Sequence, residues 1–319
     1  MRIFVTGATG FLGSHIVRAL VRARYEVVAT TRSQSNPWRL KDQADRIRWM
    51  AIDLSAPRSI AEALGLTKPD MVVHCAAYGM DYSEQSLNEA LSINVHGTQS
   101  LLEKAAEVGV RRFIHVGSCF EYGDKSEPVS ERDLLEPLSM YGATKAAATL
   151  LTLQQSRALG LPAVVVRPFG LYGPYDRDDK FVPQVIRACL SGTPIDLTGG
   201  EQVRDYTYSE DAVSMFVRLV QARDFPAGEI VNLASGSPVC LREIGDLIGE
   251  LMNAQSLLRW GARPYRPDEL KTLMANTDKA RRLLNWKPLT DLCSGLEATI
   301  AWYKTHESCA VRMRSSLAT

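Results

Sequence analysis

The chain of 319 residues is 45% hydrophobic and 23% charged with a net charge of +1, the proportions of a globular protein rather than a disordered segment. That balance gives no electrostatic case for nucleic acid or an anionic membrane surface, and no run of about 18 apolar residues would span a bilayer. The six cysteines are scattered, with no C-x-x-C pair and no histidine at ligand spacing, so reduced thiols in a cytoplasmic protein without a metal are expected.

The N-terminus enters a strand at once, which leaves no room for a signal peptide. Residues 2–6 read as that buried strand, residues 7–13 (Gly-Ala-Thr-Gly-Phe-Leu-Gly) as a tight turn, and residues 14–20 as the helix that the turn opens. Glycine suits this turn for physical reasons: Gly7 lets the chain reverse, Gly10 lets backbone approach a pyrophosphate, and Gly13 lets helix pack closely on strand. The unpaired amides and positive dipole end of the helix would face the phosphates.

The second strand, residues 25–32, ends in Thr30, Thr31 and Arg32, followed by Ser33, where an NAD site usually offers a carboxylate to the adenosine ribose. Hydroxyls and a guanidinium there suit a ribose 2′-phosphate, so NADP(H) is favoured over NAD(H); the alternative is an ordinary solvated strand-end charge. A third strand over 47–52 ends at Asp53, which either accepts from the adenine amino group or caps the next turn; residues 57–64 read as a helix. Residues 70–77 form a buried strand running into small Ala76 and Ala77, with His74 read as a core histidine.

A long helical pattern over 87–108 carries Asn94, and a strand over 112–117 delivers Ser118. Such alternation implies a doubly wound parallel α/β sheet with ligands over the strand carboxyl ends, where Ser118 sits. After a polar loop, Tyr141 and Lys145 are spaced to share one helix face, a turn apart. In the less regular second half, residues 180–190 and 210–222 read as helices and residues 229–233 as a strand. The 306–319 tail lacks periodicity and is expected to be disordered.

These residues together resemble the extended short-chain dehydrogenase/reductase family of nucleotide-sugar epimerases, dehydratases and ketoreductases. The carriers are the 6–13 turn, Asp53, residues 94–98, Ser118 with Tyr122-Gly123, Tyr141 with Lys145, and residues 167–174. The resemblance implies a Rossmann-like domain over 1–168, with 209–235 returning to it, and a smaller α+β substrate-binding domain over 169–208 and 236–305. It makes Ser118, Tyr141 and Lys145 the catalytic trio. It carries the cofactor site onto Gly7, Thr9, Gly10, Phe11, Leu12 and Gly13, then Arg32, Ser33, Asp53 and Leu54. Ala76, Ala77, Asn94, Pro168, Tyr141 and Lys145 complete that site. A nucleotide-diphosphate sugar would meet Tyr78, Ser118, Cys119, Phe120, Tyr141 and Gly170, then Lys180, Phe181 and Val182. Arg204 and Arg266 would clamp its diphosphate, although Arg204 beside Asp205 also reads as a local ion pair. A homodimer is implied, with Leu101, Leu102, Leu150, Leu151 and Leu153 as contact candidates that core packing explains equally well.

Within the family, sugar 4,6-dehydratases follow the serine position with Asp-Glu, where this chain has Cys119 and Phe120. Glu121 comes one residue later, a shift that turns its side chain to the opposite face, so a dehydratase is disfavoured. Cys119 is out of register with the cysteine of GDP-fucose synthase and reads as a small buried residue rather than a reactive one. Gly170 replaces an asparagine of many epimerases. Residues 173–183 and 200–205 resemble deoxysugar 4-ketoreductases of the CDP-abequose synthase type. The expected activity is therefore NADPH-dependent reduction of a nucleotide-diphosphate 4-keto-6-deoxyhexose, with a 4-epimerase as the alternative and a non-catalytic NADP sensor as a further one.

Overall fold

Valine-rich and isoleucine-rich runs build a single parallel sheet in the computed structural model, which describes residues 1–32, 35–81, 83–266 and 269–316. Its strands are β1 (Arg2–Thr6), β2 (Glu26–Thr31), β3 (Arg48–Ala51), β4 (Met71–His74), β5 (Arg112–Val116) and β6 (Ala163–Pro168). They lie in the order β6-β5-β4-β1-β2-β3, and Glu229–Leu233 adds a seventh parallel strand outside β6. β6 has no counterpart among the predicted strands, although its valine run is the usual composition of a strand buried on both faces.

After β1 the chain steps outward to β2 and β3, then returns to β4 on the other side of β1. That reversal opens a crevice at the carboxyl ends of β1 and β4, the position where such sheets bind ligands. On one face helix α1 (Phe11–Arg22) and the Ser209–Gln221 helix bury Ile16, Leu20 and Phe216 with Trp286. On the other, Leu64, Leu101, Leu102 and Phe113 form the core. Leu101 and Leu102, offered above as dimer contacts, are thus fully buried within the chain, whereas Leu150 is 58% exposed.

The remaining segments make a second core from Tyr172, Ile186, Ile244, Ile248, Leu296 and Ile300. Short strands tie it together: Gly170–Tyr172 pairs with Tyr206–Tyr208, and Val203–Arg204 with Val239–Cys240 and Thr272–Leu273. The last helix is Leu292–Ser316, and its Leu296 and Ile300 pack into this second core.

Candidate active site

Gly7 takes φ +65° at the end of β1, and a Cβ there would lie 2.6 Å from Ala76 N at the end of β4. A Cβ on Gly13 would lie 2.2 Å from Gly7 O, so α1 starts directly against the turn only because neither residue has a side chain. No side chain caps α1, and its first amides are left for an anion. A cradle of this kind fits a dinucleotide pyrophosphate.

Beside it is a cavity of about 210 Å³ lined by Gly7, Thr9, Gly10, Arg32, Asp53, Leu54, Ala76 and Ala77, all predicted cofactor residues. Thr31, Ser35, Cys75, Ile93 and Tyr78 line it too. Phe11 and Leu12 form the first turn of α1, Pro168 ends β6, and Ser33 lies outside the described residues. Asp53 caps its turn, its Oδ1 accepting from Ser55 N at 2.9 Å and Ser55 Oγ at 2.6 Å, while still facing the cavity. It is the only carboxylate among the described lining residues.

Ser118 extends from β5 into a short 3-10 turn, Cys119–Glu121, and is 3% exposed. Its hydroxyl accepts from Phe120 N at 3.2 Å and is hydrogen-bonded to the Tyr141 phenol. Tyr141 begins the Met140–Leu159 helix, which Ser139 caps at Gly142 N, and Lys145 follows a turn later, buried. Burial pushes the Tyr141 phenol well above its ordinary value, against the Ser118 hydrogen bond, so the free protein holds a protonated phenol. Burial lowers Lys145 to about 8, with the carboxylate of Glu121 opposing the fall. Ser118 thus faces Tyr141, and Lys145 lies a turn further along the same helix.

Asn94, expected at the cofactor, is engaged by protein partners. It sits in a π-helical turn, Leu91–His96, and is 1% exposed. Its Oδ1 accepts from Tyr78 N at 2.8 Å, while Nδ2 donates to Tyr78 O and Thr144 Oγ1, both at 2.9 Å. Both ends of the amide are thus used in pinning the loop after β4 to the helix of Tyr141 and Lys145. The neighbouring Ile93 reaches the cavity instead.

Glu121 is fully buried, and it ends a 3-10 turn, not the extended segment on which the opposite-face expectation rests; its burial follows from its partners. It accepts from Ser118 N at 2.8 Å, Thr149 Oγ1 at 3.0 Å and Arg167 Nε at 2.8 Å. Arg167 also donates to Tyr122 OH, which donates to Asn232 Oδ1, both at 2.8 Å. This network was not legible in the sequence because its members lie on separate strands. Cys119 is buried, and burial pushes its thiol up to about 12, an inert state at neutral pH. Cys119 and Phe120 line neither of the cavities described here, although the Phe120 ring meets Tyr141 edge to face.

A larger cavity of about 1130 Å³ adjoins the second core. Lys180, Phe181 and Arg266 line it, together with Asp176, Thr198 and Glu269, which no local pattern in the sequence singles out. Val182 instead points into the core at 2% exposure. Arg204 does not join Arg266 as a clamp. Its guanidinium donates to the carbonyls of Val203, Leu270 and Lys271 and pairs with Glu269 at 3.2 Å, so it braces the segment leading from Arg266. Nor does it pair with Asp205, which accepts from Ser235 and Gly236 amides. At Gly170 a Cβ would meet Asp205 O at 3.0 Å and the Tyr206 ring at 3.1 Å, so the ring occupies the space an asparagine would need.

Residues 3–234 match the sequence pattern of the NAD dependent epimerase/dehydratase family. A dTDP-glucose 4,6-dehydratase of Streptomyces griseus is 31% identical, over 96% of this chain and 95% of that one. Among solved structures, UDP-glucose 4-epimerase from Thermotoga maritima with UDP-glucose superposes with a TM-score of 0.88 at 25% identity, covering 96% of this chain and 99% of that one. UDP-glucuronic acid 4-epimerase from Bacillus cereus, in complex with UDP-glucuronic acid and NAD, gives 0.86 at 28% identity, with 96% and 99% covered. No group of histidine, cysteine and acidic side chains suited to a metal exists among the described residues.

Proposed function

Since the chain belongs to the NAD dependent epimerase/dehydratase family, we propose that it reduces the 4-keto group of a nucleoside-diphosphate 4-keto-6-deoxyhexose with NADPH. The observation that carries this choice is the end of β2, where Thr31 and Arg32 line the dinucleotide cavity and the described strand-end residues include no carboxylate. The lining carboxylate, Asp53, follows β3 and is engaged with Ser55. A guanidinium and hydroxyls bind a ribose 2′-phosphate that a carboxylate would repel. When bound, the dinucleotide supplies the hydride. Ser118 then holds the substrate oxygen and the protonated Tyr141 gives that oxygen its proton. Lys145, charged, steadies the phenolate left behind.

Arg266, Lys180 and Thr198 on the larger cavity suit the diphosphate and nucleoside of the substrate. The Asp-Glu that sugar 4,6-dehydratases carry after the serine position is Cys119 and Phe120 here, and Glu121 is held in a buried ion pair. The exposed Leu150 marks the face through which a homodimer would form.

A second reading, a 4-epimerase that retains NAD, is favoured by the Thermotoga maritima and Bacillus cereus neighbours. Purified protein mixed with NADPH or NADH and an enzymatically prepared 4-keto-6-deoxy nucleotide sugar tests the first reading. Consumption of NADPH with formation of an alcohol supports it. Appearance of the C4 epimer from UDP-glucose or UDP-glucuronate without added reductant, and no NADPH consumption, supports the second. Neither activity, with NADP still bound, would leave a non-catalytic dinucleotide sensor.

A further inference from the structure

Beside Lys145 lies an imidazole that the trio does not use. His115 belongs to β5 and is fully buried; its Nε2 stands 3.4 Å from Lys145 Nζ. Its other nitrogen, Nδ1, is buried without a hydrogen-bond partner. An ammonium has donors only, so a contact with a neutral imidazole requires Nε2 to be the acceptor and the ring proton to sit on Nδ1. An unsatisfied buried N–H carries a cost, and such a group persists where another contact of the same ring compensates.

We propose that His115 is a positioning residue for Lys145: its Nε2 accepts a hydrogen bond from the ammonium and keeps that lysine charged inside the protein before any ligand arrives. The proposal rests on Tyr141 and Lys145 working as a pair, and not on which sugar is transformed. The groups facing Lys145 are His115 from β5, His74 from β4, Cys75 just after it and Glu121 from the 3-10 turn. Burial, with the Lys145 ammonium and then His74 and Arg167 beside it, holds His115 neutral. His74 is also held neutral by burial, and its ring nitrogens are engaged elsewhere, with Thr6 Oγ1 at 2.6 Å and Thr98 Oγ1 at 3.0 Å. The imidazole of His115 thus offsets part of the burial that lowers Lys145.

The consequence is a matter of population. With a midpoint near 8, Lys145 is about nine-tenths charged at neutral pH. Removing a hydrogen bond to a charged group lowers that midpoint by about one unit, which leaves about half of the lysines neutral and unable to steady a phenolate.

Two measurements on the full chain, neither needing substrate, test this. In protein with nitrogen-15 histidine, the nitrogen shifts report which tautomer His115 adopts, with assignment by His115→Phe. Below the lysine midpoint the proton is expected on Nδ1; a proton on Nε2 overturns the proposal. In protein with carbon-13 lysine, the ε-methylene of Lys145, assigned by its loss in Lys145→Arg, reports the lysine midpoint. His115→Phe keeps ring volume without an acceptor and is expected to lower that midpoint by about one unit, whereas His115→Gln, whose amide oxygen reaches the same place, restores it. An unchanged midpoint in His115→Phe also overturns the proposal. Should His115→Phe not fold, assignment through His115→Gln leaves the tautomer measurement decisive. Failure here would leave the nucleotide-sugar reading intact, because neither measurement involves hydride transfer.

Discussion

Arg167 Nε donates to Glu121 Oε2 across 2.8 Å with the two side chains at 1% and 0% exposure, directly beneath the backbone amide of Ser118. Burial pushes the Glu121 carboxyl up, while Arg167, Lys145 and the Ser118 amide pull it back. Breaking such a pair from one side leaves an uncompensated buried charge, which costs about 3–5 kcal/mol. Glu121→Ala is therefore expected to lower the melting temperature sharply, read by calorimetry, and to disturb activity through Ser118. A variant as stable as the parent would show that the pair does not hold the serine.

Tyr141→Phe removes the proton donor and the partner of the Ser118 hydroxyl while leaving the glycine-rich turn untouched. Turnover should fall by about 100-fold or more, with dinucleotide affinity, read by fluorescence quenching, changed little. Unchanged turnover would remove Tyr141 from the chemistry.

Arg32→Glu places a carboxylate where the proposed 2′-phosphate would lie. The ratio of NADPH to NADH affinity is expected to fall by about 10-fold or more, since a charge-assisted hydrogen bond is replaced by repulsion. Titration calorimetry with both dinucleotides reads this directly, and an unaltered ratio would favour the solvated-charge role for Arg32.

Lys145→Met should abolish activity and yet stabilise the protein. Lys145 falls from 10.5 to about 8 on folding, so between these values the unfolded chain binds more protons and stability rises with pH. The parent therefore bears its full penalty below pH 8, about 3 kcal/mol, and sheds it by about pH 10.5. Denaturant melts across that window should show the advantage of Lys145→Met shrinking as pH rises; an advantage that grows would contradict the buried ammonium.

Gly170→Asn restores an asparagine that many epimerases carry, but its Cβ has to fit between Asp205 O and the Tyr206 ring. Overpacking of this kind costs about 1–3 kcal/mol. Chemical denaturation should show that loss, and Tyr206→Ser in the same chain should recover most of it. If Gly170→Asn alone is neutral, the ring moves aside and Tyr206 is not what excludes the asparagine.

The amino-acid sequence by itself determined the local elements and the residues that act near them in the chain. Gly7 and Gly13, the strand-end Arg32, and the four-residue step from Tyr141 to Lys145 depend on turn sterics and helical period, which are properties of neighbours. Tertiary structure alone decided the partners. Glu121 and Arg167 meet because β5 and β6 are adjacent strands, and His115 comes to Lys145 because a helix crosses β5. The partners that engage Asn94 and Arg204, namely Tyr78, Thr144, Glu269 and Leu270, come from distant segments. A polar side chain is claimed by whichever complementary group packing brings within about 3 Å, and chain distance carries no record of that.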